Sequence, residues 1–249
     1  ARSPSRGLGD VYKRQILRGI CQVQNSSSDI DAIRQVVNQV LEVHAREEGG
    51  QRSQARSEIL IHSMQVFAQR GLQRTTVQHL LDASDVSRRT FYKYFRNKMD
   101  VLESIYRIFV DNMLLHFHKE VKQASSARDI IRNTTKVYFD YHVSMGPIIR
   151  LMMEEARSST SALAPHRVRA QDIASEVLTS QISRYTGKSY EPLVFRTMLW
   201  MLENYSLYIF EDGGFSQERL DLCEKVAIGI AESLVLGEVT PGMLERPVS

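Results

Sequence analysis

The strongest constraint on the fold is a run of capped helical patterns compressed into about fifty residues. A first helix starts near Ser53, with Ile59, Leu60, Met64, Phe67 and Ala68 along one side, and Gly71 ends it as a C-terminal glycine does. Thr75-Thr76 offers an N-cap for the short "TVQHLLDA", whose Val77, Leu80 and Leu81 point inward. "SDV" makes a tight turn, and Asp85 stands where such a turn often needs a positive φ. Ser87 caps "RRTFYKYF", and Asn97 caps a long helix from Lys98. Two short helices joined by a turn of three or four residues form a helix-turn-helix, whose second helix can enter the DNA major groove.

The segment "VSRRTFYKYFRNK" fits that geometry. Phe91 and Phe95 are four residues apart and share one helix face, expected to anchor against Phe67 and Leu80. Arg88, Arg89, Tyr92 and Lys93 then occupy the other side. An arginine can form two parallel bonds to guanine O6 and N7. Thr90, Tyr92 and Tyr94 can donate to phosphate oxygens, as can Thr76 and Ser87 at helix starts. Lys98 falls in the first turn of its helix, an unfavourable place for a cation unless an anion sits there, and is expected to contact phosphate.

Charge supports this placement. Residues 51–100 carry nine Lys/Arg against four Asp/Glu, a net of +5. Residues 16–50 and 101–249 are mildly acidic, at −2 and −3. One small basic block on an otherwise acidic chain is expected where a single segment touches a polyanion. Four regions follow from these shifts: 1–15, 16–50, 51–100 as the DNA-binding domain, and 101–249 as a ligand-binding and dimerisation domain. Residues 1–15 lack apolar periodicity and end in "VYKRQ", which reads either as a translated sequencing adapter or as a disordered basic arm. Residues 16–50 hold one amphipathic helix and a linker. Ile30, Asp31, Ala32, Val36 and Val40 align with Leu220, Asp221, Leu222, Val226 and Ile230, so the helix reads as the remnant of an upstream repeat or as a chance match.

Few stretches alternate with period two, and Gly and Pro number only 13 and 6 in 249 residues, so a helical chain is expected throughout. Five further helical patterns follow Val121. Cys21 and Cys223 are far apart and build neither a disulfide framework nor a metal cluster, which suits a reducing, cytoplasmic setting. No apolar run reaches the roughly 20 residues needed to span a bilayer. No signal peptide is expected, because the first residues lack an apolar stretch. No HExxH, glycine-rich phosphate loop or recognisable nucleophile is read in the sequence, so neither enzyme activity nor a cofactor is expected. His116 and His118 are two residues apart and point away from each other on a helix.

In the C-terminal region, Tyr138, Tyr141, His142, Met153, Trp200, Asn204 and Tyr208 are candidates for lining an aromatic small-molecule cavity, with Arg150 as a further polar anchor. Ordinary core packing is the simpler account of any one of them. The last two helices, with Met198, Leu202, Val226, Ile230 and Leu234, suit either a dimer interface or burial within their own subunit.

The stretch from Ile59 to Leu102 resembles the TetR family of bacterial transcriptional regulators. The likeness rests on Ile59-Leu60, Phe67, Gly71, Thr75-Thr76-Val77, Val86-Ser87, Thr90-Phe91-Tyr92, Phe95, Lys98 and Leu102. It departs at Ser84-Asp85, where the family has an Ala–Gly pair, at Leu81, where it has a small residue, and at Met99, where it has an acidic one. The resemblance implies an all-α homodimer: an N-terminal three-helix helix-turn-helix DNA-binding domain plus a C-terminal antiparallel helical bundle that binds a small-molecule inducer. The expected function is a ligand-released repressor on a palindromic operator in double-stranded DNA. The alternatives are an architectural or protein-regulated DNA binder without an inducer, and an interaction protein that no longer binds DNA.

Overall fold

The computed structural model describes residues 54–146, 148–211 and 215–237. The expectations for residues 1–15 and 16–50, including the internal echo and Cys21, lie outside them. All regular structure among the described residues is helical: α1 (Gln54–Arg74), α2 (Val77–Ser84), α3 (Arg88–Tyr94), α4 (Lys98–Gln123), α5 (Ala127–Ser144), α6 (Ile148–Arg157), α7 (Ala164–Thr186), α8 (Pro192–Ile209) and α9 (Gln217–Leu236). No described helix is long and apolar enough to cross a membrane. The described residues form two compact units, one of 54–108 with 143–146 and 148–151, the other of 109–142, 152–211 and 215–237.

In the first unit, local chemistry sets each helix boundary. Gly71 takes φ 68°, a left-handed conformation that breaks the helical geometry of α1 three residues before its assigned end. Thr76 caps α2 by accepting from the His79 amide at 3.3 Å, and the His79 ring nitrogen Nδ1 accepts from the Thr76 amide at 3.2 Å. This is a reciprocal capping box with histidine in the position that Glu or Gln usually holds. Asp85 ends α2 at φ 50°, ψ 42°, the left-handed region expected for the turn. Ser87 Oγ accepts from the Thr90 amide at 3.1 Å to start α3, and Asn97 Oδ1 accepts from the Asp100 amide at 3.0 Å to start α4. The helix α1 packs against α2 and α3. Ile59, Phe67, Leu80, Phe91 and Leu102 are fully buried, and Phe95 is 2% exposed.

The second unit is a bundle in which α7 packs on α8 and α8 on α9. Short connections between consecutive helices make neighbours antiparallel. Pro192 opens α8, Ser216 caps α9 by accepting from the Arg219 amide, and Gly187 and Gly237 close α7 and α9 in left-handed conformations. Its core joins Phe117, Ile130, Ile131, Leu178, Ile182, Phe195 and Val235. Two buried carboxylates tie helices together. Glu203 of α8 takes two bonds from Arg167 of α7, at 2.9 and 2.6 Å, and one from Gln171 at 2.6 Å. Glu232 of α9 takes Arg132 Nε of α5 at 2.6 Å. Cys223 is buried, and burial pushes its thiol up to about 11.

Candidate DNA-binding face

The two buried phenyl rings fix the orientation of α3. Phe91 and Phe95 lie 5.8 Å apart, centroid to centroid, and Tyr92 stands edge-on to Phe91 at 5.5 Å and is itself 51% exposed. With the apolar side thus fixed, Arg88, Arg89, Tyr92 and Lys93 all lie exposed on α3. Ser87 and Thr76 are exposed at the starts of α3 and α2, while Thr90 and Tyr94 are half-buried. The hydroxyls of Ser87 and Thr90 lie 2.9 Å apart and share a hydrogen bond. Lys93 Nζ sits 5.2 Å from the Tyr94 ring centre, a cation–π contact that leaves its ammonium at the surface.

Some of the basic groups are already engaged. Arg96 meets Asp100 through Nε at 3.2 Å and Nη2 at 3.1 Å, and its hydrogen bond holds the Asp100 carboxyl below the usual carboxylate range. Lys98 is engaged more fully. Its ammonium donates to the carbonyls of Leu72, Gln73 and Thr75 at 2.7, 3.4 and 2.6 Å. Those carbonyls belong to the end of α1 and the residue after it, where oxygens lack intrahelical partners and the helix dipole is negative. Lys98 therefore acts as a cap for α1 across 26 residues of sequence, with all three ammonium protons spent on that work.

Spacing alone did not single out Gln78 and Asp82. Arg88 Nη2 donates to Gln78 Oε1 at 2.7 Å, and Gln78 Nε2 donates to Asp82 Oδ1 at 2.7 Å. The Gln78–Asp82 pair is an i,i+4 arrangement visible in the sequence, but its link to Arg88 crosses the turn between helices.

The seven candidates for a ligand cavity do not all come together. Tyr138 and His142 stack at 3.9 Å, with Phe109 edge-on to His142 at 5.3 Å. His142 Nδ1 lies 2.8 Å from the Tyr138 carbonyl, and burial lowers its pKa to about 4, so the ring is neutral and donates there. The Tyr141 hydroxyl is 2.8 Å from His116 Nδ1, and burial raises its pKa. Met153 is buried. Trp200, Asn204 and Tyr208 instead lie exposed on α8. Trp200 donates to Gln171 Oε1 at 3.3 Å, Asn204 bonds Arg157 at 3.1 Å, and Tyr208 lies under the Arg219 guanidinium beside an open cleft of about 440 Å³. Arg150 is exposed on α6. Helical periodicity places aromatic residues on one face without telling whether that face turns inward.

A capped three-helix head with an exposed cationic third helix defines a helix-turn-helix protein. Residues 59–105, which span the three-helix head and the start of α4, match the sequence profile of the bacterial regulatory proteins of the tetR family. The chain is 24% identical over 138 residues to the HTH-type transcriptional activator FasR of Mycolicibacterium smegmatis. The match covers 55% of this chain and 62% of FasR, so the chain spans less than two thirds of that relative's length. Among solved structures, it shares its fold with the fatty acid degradation regulator FadR of Bacillus halodurans (TM-score 0.59, 16% identity, 79% of this chain and all of that one). FadR of Bacillus subtilis in complex with stearoyl-CoA is comparably similar (TM-score 0.59, 17% identity, 73% of this chain and 98% of that one). PfmR, a TetR family regulator of Thermus thermophilus, matches at TM-score 0.55 and 21% identity over 76% of this chain and 99% of its own.

Proposed function

We propose that the chain is a cytoplasmic, DNA-binding transcriptional regulator that acts as a homodimer on a palindromic operator and is released by a small-molecule ligand. The observation that carries this reading is the exposed row of Arg88, Arg89, Tyr92 and Lys93, set by the burial of Phe91 and Phe95 on the opposite side. Arg88 and Arg89 are its candidate base readers, with Thr76, Ser87, Thr90, Tyr92, Lys93 and Tyr94 as candidate contacts to the phosphate backbone. Lys98 holds the end of α1 and so positions the head rather than touching phosphate.

Dimerisation through α8 and α9 is supported by large apolar side chains left exposed on them: Leu193, Trp200, Tyr208, Leu222 and Leu234. Trp200 fits such an interface better than a cavity, whereas Tyr208 lines the open cleft beside α9. Tyr138, Tyr141, His142 and Met153 remain the candidates for the ligand. Fatty acyl-CoA thioesters are the first ligands to test, because FadR of Bacillus subtilis was solved with stearoyl-CoA and the interior of the second unit is apolar. A ligand releases DNA only if it binds the non-DNA conformation more tightly. A second reading, activation, is favoured by FasR, which is an activator. The test is fluorescence-anisotropy titration of the full chain with duplexes selected from a randomised pool, with and without acyl-CoA. Salt-dependent binding that acyl-CoA lowers supports the proposal. Binding unaffected by any ligand tried supports the architectural alternative, and no affinity for duplex DNA at low salt refutes the reading.

A further inference from the structure

We propose that Gln78 and Asp82 form a positioning relay that orients the Arg88 guanidinium for reading one base pair, so that Gln78 sets sequence preference without touching a base. The inference rests on the DNA-binding reading above and goes beyond it by separating the two neighbouring arginines.

Arg88 is the first residue of α3, and the N-terminal residues of a recognition helix are those that meet base edges. A long exposed arginine samples many rotamers, and reading a guanine requires one planar orientation. Gln78 supplies that constraint from the preceding helix. Its carbonyl accepts one Arg88 Nη2 proton at 2.7 Å, while its amide donates to Asp82 at 2.7 Å. Asp82 ends the chain with an acceptor-only carboxylate, so the Gln78 amide has one sensible orientation: nitrogen toward Asp82, oxygen toward Arg88. The guanidinium has five N–H donors and the relay uses one. Enough remain for the two parallel bonds to guanine O6 and N7. No described hydrogen bond holds Arg89, the adjacent cation, and it is exposed. The asymmetry assigns Arg88 to a base and Arg89 to the backbone. All three relay side chains are exposed, so removing the relay costs the free head little stability. Its influence grows in the complex, where excluded water lowers the local dielectric and strengthens each bond.

The experiment uses the full-length chain and duplexes that the wild type selects from a randomised pool. Relative affinities are measured for single base-pair substitutions across the site, for the wild type and for Arg88→Ala, Gln78→Met, Asp82→Asn and Asp82→Leu. Arg88→Ala abolishes the preference at one base pair in each half-site. Gln78→Met weakens the preference at that same base pair by about tenfold, on the scale of one bidentate arginine–guanine contact. Its salt dependence and urea midpoint stay at wild-type values. Asp82→Asn keeps an acceptor for the amide and keeps the preference; Asp82→Leu relaxes it. Removing the Asp82 charge raises affinity for all duplexes together, so the ratio between duplexes is the readout. The inference falls if Gln78→Met retains the full preference where Arg88→Ala has lost it, or if it changes the preference at a different base pair. A wild-type chain that selects no duplex refutes the DNA-binding reading itself, a result separate from these.

Discussion

The head and the second unit solve the same problem, the satisfaction of polar groups, at different ranges in the sequence. In the head, most of the bonds that fix helix ends join neighbours: Thr76 with His79, Ser87 with Thr90, Asn97 with Asp100. In the second unit, the carboxylates of Glu203 and Glu232 are buried and are met by arginines 36 and 100 residues away. Local pairs build a small domain without needing a large interior, and they leave its outer side chains available for a ligand. Long-range pairs fasten a bundle and commit the side chains that make them. Perturbations should therefore act through stability in the bundle and largely through recognition in the head.

The largest effect should come from Glu203. It is 5% exposed and receives three hydrogen bonds. Glu203→Ala removes the buried carboxylate that accepts two bonds from Arg167 and one from Gln171. Stability measured by urea unfolding should fall by about 3–5 kcal/mol, the usual cost of breaking a buried ion pair by removing one partner. A loss below about 1 kcal/mol would mean that water replaces the carboxylate, and that the long-range pairs do not fasten the bundle.

His142 gives the second largest effect, and it depends on pH. Its native pKa of about 4 lies below the ordinary value of 6.5, so the unfolded chain binds a proton more readily between those two values. Stability is unaffected above pH 6.5 and declines as pH falls toward 4. At pH 5 the loss should be about 2 kcal/mol, from about 1.36 kcal/mol per pH unit. The difference in urea-unfolding free energy between pH 7 and pH 5 measures it, and His142→Phe should remove that share of the pH dependence. An unchanged slope in the variant would show that His142 is not the titrating group.

These contrasts also explain what the sequence disclosed. Caps at Thr76, Ser87, Asn97 and Ser216 and the glycine stops at Gly71 and Gly187 involve residues within four positions of one another, and such signals are readable by eye. The apolar anchors Phe91 and Phe95 were legible for the same reason. The hydrogen bonds of Lys98 and Gln78 were not, because their partners lie 26 and 10 residues away across turns. The exposure of Trp200 and Tyr208 was not legible either: the apolar run of α8 gives no sign of which aromatic residues face outward.

Lys98 is a long-range exception within the head and sharpens the comparison. Lys98→Met keeps most of the aliphatic stem and removes the ammonium from the three carbonyls that end α1. The expected cost is about 1–2 kcal/mol of stability, with an unchanged salt slope for DNA binding. If stability holds and the slope instead drops by about 1, Lys98 neutralises a phosphate in the complex, and the head spends even this residue on recognition.

The smallest effect tests the turn itself. Asp85 holds φ 50° at the end of α2, where a side chain costs energy that glycine does not incur. Glycine also gains freedom in the unfolded chain, which offsets part of the relief. Asp85→Gly should therefore stabilise the head by only about 0.5 kcal/mol, while Asp85→Ala, which lacks a polar side chain to favour this conformation, should destabilise it by about 1 kcal/mol. The order Gly above Asp above Ala in thermal unfolding midpoint is the expected result. If Asp proved the best of the three, its carboxylate would be contributing a contact beyond the backbone conformation, and the head would depend on more than the local rules that its sequence displays.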